Sequence, residues 1–142
     1  MPTITIATPA RTPSHRRAVA LRLTRWLADH EGIDPAHVIV RFPPTPEQTV
    51  FSGGMPMDTL PAGNGSLQHA SVTCCVGPER DEGFRSGLAA EIADALGATK
   101  DTPFLYIEFR PTPRDHVYLW RRGELQRADL ATSTSEYDQE TR

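Results

Sequence analysis

Two stretches of the chain carry apolar residues at helical spacing. Over residues 13–30, Ala20, Leu23 and Leu27 fall on one stripe behind Thr12 and Pro13, an N-cap and a first-turn proline that together start helices. Over 82–96, Phe84, Leu88, Ile92 and Leu96 repeat that stripe between Asp81 and Gly97, a cap at each end. Four further runs, 2–7, 38–42, 70–76 and 105–109, alternate or are rich in β-branched and aromatic residues, and read as strands. The order is therefore strand, helix, strand, twice over. A crossover helix of this length makes the flanking strands parallel and the connection right-handed. The pattern predicts an α/β fold of two βαβ units sharing one four-stranded sheet, with both helices on one face.

The two units read as a duplication. Arg41-Phe42-Pro43-Pro44-Thr45-Pro46 recurs as Glu108-Phe109-Arg110-Pro111-Thr112-Pro113, sixty-seven residues later with four of six identities. Further left, an offset of sixty-nine aligns Arg11 with Arg80, Arg16 with Arg85, Ala20 with Ala89, Leu23 with Ile92 and Leu27 with Leu96. These matches divide the chain into a domain over 1–122, with repeat one at 2–54 and repeat two at 69–122, and a polar Ser/Thr-containing tail over 123–142 that lacks periodicity. Strands 38–42 and 105–109 are apolar on both faces apart from Arg41 and Glu108. Two helices cover one face only, which predicts contact with other subunits on the other.

At 142 residues and 38% apolar content, the chain is the size of one ordinary domain with a core of its own. Fifteen Lys and Arg against eighteen Asp and Glu leave a net charge of −3, which disfavours nucleic acid and anionic membranes as partners. No apolar run approaches a membrane span, and no signal-peptide pattern opens the chain. Cys74 and Cys75 are adjacent in a strand, so their side chains point to opposite faces and do not pair readily. A reduced, cytoplasmic setting is the expectation. The five histidines show no metal-ligand spacing, and dinucleotide, phosphate-loop and serine-elbow motifs are absent; neither metal nor cofactor is expected.

The residues offer one unusual base. Removal of Met1 would leave Pro2 as a secondary amine at the amino terminus, and burial or a neighbouring guanidinium would keep it neutral near physiological pH. Arg41 and Glu108 hold corresponding strand positions, where a charge is costly unless paired or functional. Pairing across a subunit boundary and placement of Glu108 near Pro2 are both open. Tyr106 shares the face of Glu108.

The ordered set Pro2-Thr3-Ile4-Thr5-Ile6, Arg11-Thr12-Pro13-Ser14, Val38-Ile39-Val40 and Val50-Phe51-Ser52-Gly53-Gly54 resembles the tautomerase superfamily over about residues 2–120. The doubled length is similar to the fused branches that include macrophage migration inhibitory factor and cis-3-chloroacrylic acid dehalogenase, rather than the single-unit 4-oxalocrotonate tautomerases. The resemblance implies a homotrimer, an N-terminal proline as catalytic base or acid, and arginines that hold a substrate carboxylate or polarise its carbonyl. Arg11 and Arg80 are the leading clamps. Phe51 corresponds to the aromatic before the Gly-Gly pair, lining the pocket or a subunit contact, and Tyr106 to an aromatic of the migration-inhibitory-factor branch. The implied activity is cofactor-free tautomerisation of a small 2-keto or enol carboxylate. Alternatives are hydration or dehalogenation of a small unsaturated acid, and a noncatalytic trimeric binding protein. The dehalogenase branch's helical histidine falls on Leu27, its water-activating acid on Leu119, and one of its paired arginines on Gly77. Water activation is accordingly the weaker reading.

Overall fold

A computed structural model describes residues 1–130. The four principal strands are β1 (Thr3–Ala7), β2 (Ile39–Arg41), β5 (His69–Val76) and β6 (Phe104–Pro111). They form one sheet in the order β2-β1-β5-β6. Strand β1 runs parallel to β2, and β5 parallel to β6, as two βαβ units require. The units meet through antiparallel pairing of β1 with β5, with Thr5 opposite Thr73.

Helix α1 spans Pro13–Glu31; the Thr12 hydroxyl accepts from the His15 N–H, and Gly32 closes the helix at φ 64°. Helix α2 spans Glu82–Leu96, with Asp81 accepting from the Phe84 N–H and Gly97 at φ 81°. A left-handed residue at the helix end suits glycine, which has no Cβ to clash. Both helices bury their stripes on the same face of the sheet. Leu23, Leu27, Leu88 and Ile92 are fully buried there against Ile4, Ile6, Val72 and Cys74, each large aliphatic contributing about 1.5–3 kcal/mol. Burial pushes the Cys74 thiol up to about 12, while Cys75, on the other face, is only half-buried. Across the helix pair, Arg22 bonds Glu91 at 2.7 Å and also reaches Asp94. Arg22 and Glu91 occupy corresponding places in the repeat.

The face opposite the helices differs from the sequence expectation. The edge strands do place Ile39, Phe104 and Tyr106 there, but the central strands contribute Thr3, Thr5, Ser71, Thr73 and Cys75. Val38, Val40, Phe42, Leu105, Ile107 and Phe109 pack instead against the core. Strand alternation therefore makes the open face mainly small and polar.

The duplication continues beyond the boundary read at residue 122. Repeat one adds a hairpin, β3 (Phe51–Ser52) and β4 (Met55–Pro56), while repeat two adds β7 (Tyr118–Arg121) and β8 (Glu124–Arg127). Their turns match: Gly53 and Gly54 have φ 57° and 80°, and Arg122 and Gly123 have φ 54° and 76°. Two successive positive φ values give the turn whose twist suits a hairpin. After each hairpin a buried residue donates backward, Met57 N–H to Val50 O and Ala128 N–H to Val117 O, both at 2.8 Å. The tail expected from 123 thus begins as a paired strand, and its 131–142 portion lies outside the described residues. Among the described residues no helix is long and apolar enough to cross a membrane.

Candidate functional site

Antiparallel pairing of the units brings the start of β1 beside the ends of β5 and β6. Pro2 is buried, and its carbonyl accepts from the Ile39 N–H at 3.1 Å. Directly beyond β5 lies Arg80, before α2; beyond β6 lies Arg114, in a 3-10 turn over Arg114–His116. Both guanidiniums bear on the amino terminus. Burial lowers the pKa of the Met1 amine first, Arg114 and Arg80 lower it further, and Glu79 opposes them. A positive charge is disfavoured there because it loses water and meets two cations.

Arg80 is held rather than loose. It bonds Glu31 at 3.2 Å with its side chain 22% exposed, and its guanidinium lies 4.9 Å from the Phe84 ring centroid. Its carbonyl accepts from Arg85 at 2.7 Å, as the Arg11 carbonyl does from Arg16 at 2.6 Å. Close by, His37 ends a 3-10 turn over Pro35–His37. Its pKa is lowered by burial, then by Arg121; Asp34 opposes this, and the amino terminus and Arg114 add to it. Arg121 is anchored at 2.9 Å on the Ala36 carbonyl. An open cavity of about 560 Å³ adjoins this end, lined by Pro78, Glu79, Pro113, Arg114, Asp115, Arg127 and Asp129. Two arginines beside a poorly hydrated amine can hold an anion and leave that amine free to take a proton.

Of the residues singled out from sequence, Pro2 and Arg80 come together here. The others lie elsewhere in the chain. Arg11 follows β1 and so sits at the opposite end of the sheet, lining a cavity of about 340 Å³ with Arg16 and Phe42. Arg41 and Glu108 share one row across the open face, Arg41-Thr5-Thr73-Glu108, but at opposite edges, so they do not pair within the chain. Glu108 instead bonds Arg110 at 2.8 Å and meets the Tyr106 hydroxyl at 3.5 Å. Its row is that of Thr5, well along β1 from Pro2. Phe51 is 56% exposed on the first hairpin. Sequence reasoning missed His37, Arg114 and Arg121. The signal for Arg114 was present, since it follows the repeated Pro-Thr-Pro in the place of Glu47. Among the described residues no three His, Cys, Asp or Glu side chains gather to hold a metal.

No protein-family model matches the chain, and no curated protein matches it. Solved structures do. Native fused 4-OT is similar over 92% of this chain and 98% of its own, at TM-score 0.68 and 17% identity. N1, a member of the cis-3-chloroacrylic acid dehalogenase family, covers 94% and 90% at TM-score 0.67 and 16% identity. Native RhCC from Rhodococcus jostii RHA1 covers 86% and 84% at TM-score 0.63 and 19% identity. A wild-type fused 4-OT of similar fold is an asymmetric trimer. At these identities the likeness is one of fold, the double βαβ architecture of the fused 4-OT and cis-3-chloroacrylic acid dehalogenase family structures.

Proposed function

We propose that the chain is a cofactor-independent tautomerase, moving a proton between carbon and oxygen of a small 2-keto or enol carboxylate. The supporting observation is the convergence of Arg114 and Arg80 on the half-buried amino terminus, where burial first and then these two cations lower the pKa of the Met1 amine. In this reading Met1 is removed and the Pro2 nitrogen, neutral near pH 7, takes the proton from carbon and returns it. Arg80 and Arg114 grip the carboxylate and stabilise the enolate oxygen; a planar guanidinium does so in two-point fashion. The working form in this reading is a homotrimer, as in the trimeric fused 4-OT structure, and the small, half-buried Thr and Ser side chains of the open sheet face let backbones approach closely.

Hydration or dehalogenation is less favoured, because Leu27 is fully enclosed in the core and offers no group to activate water. His37 is the side chain near the amino terminus best placed to orient one. The test is intact mass of the purified protein, followed by a screen of enol and unsaturated acids on wild type and Pro2→Ala. Loss of Met1 with proline-dependent ketonisation supports the reading. A retained Met1, or turnover unaffected by Pro2→Ala, overturns it.

A further inference from the structure

The second repeat carries its own version of the Pro2 end, at the far end of the sheet. Ile39 and Tyr106 correspond in the repeat; Thr3 pairs with Ile39 and Ser71 with Tyr106. Thr3 therefore corresponds to Ser71, Pro2 to Ala70, and Met1 to His69. Where one unit has a chain terminus, the other has an imidazole. The same alignment puts Glu47 where the Pro2 end has Arg114, so the local charge is reversed.

His69 is only 4% exposed, and its Nδ1 has no hydrogen-bond partner. Its backbone is pinned, since the buried Thr8 hydroxyl donates to the His69 carbonyl at 2.9 Å. His69 lines a cleft of about 640 Å³ whose charged walls are Glu47 and Asp58 and whose apolar walls include Pro9, Ala10 and Pro46. The cleft is built rather than incidental: Asp58 accepts from the Gln48 N–H at 2.9 Å, and Gln68 donates to Met57 O at 3.2 Å and to Leu60 O at 2.5 Å. Arg11 and Arg16 face the neighbouring cavity and are not among the residues lining this one.

We propose that this cleft is a second binding site, distinct from the Pro2 end, for a small organic cation bearing an aliphatic ammonium group. Two carboxylates without a lining cation favour positive charge, and an ammonium has three N–H donors to distribute among Asp58, Glu47 and His69. Its alkyl part rests on the proline and alanine walls. Burial lowers the His69 pKa and Asp58 opposes this; the neutral ring that burial favours retains a lone pair to accept such an N–H. A buried polar atom without a partner carries a desolvation cost, which a ligand N–H that reaches it relieves.

The experiment follows backbone amide shifts of the full-length protein during titration with n-propylammonium, sodium propionate or 1-propanol at matched ionic strength. Propylammonium should produce saturable shifts at Glu47, Gln48, Asp58 and His69, with a Kd on the order of 1–10 mM for so small a probe. Propionate should bind at least tenfold more weakly, and Glu47→Gln and Asp58→Asn should each weaken propylammonium at least threefold. Glu47 is exposed, so its variant stays folded and keeps the test decisive. Saturable binding of propionate at these four residues as tight as that of propylammonium, absence of saturable shifts there with the cation, or unchanged affinity in both variants overturns the proposal. Because Pro2 and its arginines lie at the other sheet end, propionate shifts confined to residues 79–80 and 114 bear on the Pro2 reading alone, and the two readings fail separately.

Discussion

Replacing Arg80 by alanine separates the site's chemistry from its scaffolding. The guanidinium has three tasks: it pairs with Glu31, both side chains mostly covered at 22% and 27% exposure; it lies over Phe84; and it depresses the amino-terminal pKa. An ion pair of intermediate exposure and a cation–ring contact together contribute about 1–2 kcal/mol to folding. Losing a charge-assisted contact to a developing enolate costs about 2–4 kcal/mol of transition-state stabilisation, or roughly 30- to 1000-fold in kcat/KM. Arg80→Ala should therefore remain folded, with a modest loss in urea midpoint, and turn over an enol acid far more slowly. Arg80→Lys should recover part of that loss, since an ammonium restores charge but not the planar fork. Arg11→Ala, at the opposite sheet end, should leave Pro2-dependent turnover within about twofold of wild type. Steady-state kinetics on the three variants, with circular dichroism to confirm folding, decides the matter. An unchanged kcat/KM for Arg80→Ala, or an equal loss in Arg11→Ala, refutes this assignment.

Four further outcomes follow from the same structure. Met1-free protein should show an acid limb in its pH–rate profile governed by an amine titrating below the usual value of about 8, and Arg114→Ala should move that limb to higher pH by removing a charge that lowers the pKa; an unmoved limb would count against Arg114. Sedimentation equilibrium at micromolar concentration should give a trimer, and a stable monomer would contradict the proposed assembly. Leu88→Ala, at a fully buried site, should cost about 2–5 kcal/mol in urea unfolding, and a loss under about 1 kcal/mol would show that the core relaxes around it. Burial lowers the pKa values of His15, His37 and His69 in the fold, so the unfolded chain binds protons more readily and stability should fall as pH drops through about 6.5. His69→Gln should flatten that decline between pH 7.5 and 5.5, as measured by urea midpoints; a slope equal to wild type would refute the His69 contribution.

Local signals carried much of this fold. The stripes on α1 and α2, the caps at Thr12, Asp81 and Gly97, and the repeated Phe-x-Pro-Thr-Pro run after each unit all depend on neighbours a few residues apart. Such spacings determine helix faces, strand ends and, through the handedness of the crossover, parallel pairing within each unit. The match between the hairpins escaped this reading because it lies in positive φ at Arg122-Gly123 and Gly53-Gly54, where a single glycine, Gly54 with Gly123, is shared.

How the two units join was not legible, and it governs the site. Antiparallel pairing of β1 with β5 turns one unit end for end relative to the other. Corresponding residues such as Arg11 and Arg80, or Arg41 and Glu108, are thereby sent to opposite ends or edges, while Arg80 and Arg114 are carried to the amino-terminal end of β1. Sequence alignment identifies equivalents, which a two-fold relation holds apart; the residues that meet come from different, non-corresponding positions. That is why the chain alone nominated Pro2 and Arg80 but also offered Arg11, and why Arg114, His37 and the buried, partnerless His69 emerged only from tertiary packing, which decides what each polar group has for neighbours and how much water it keeps.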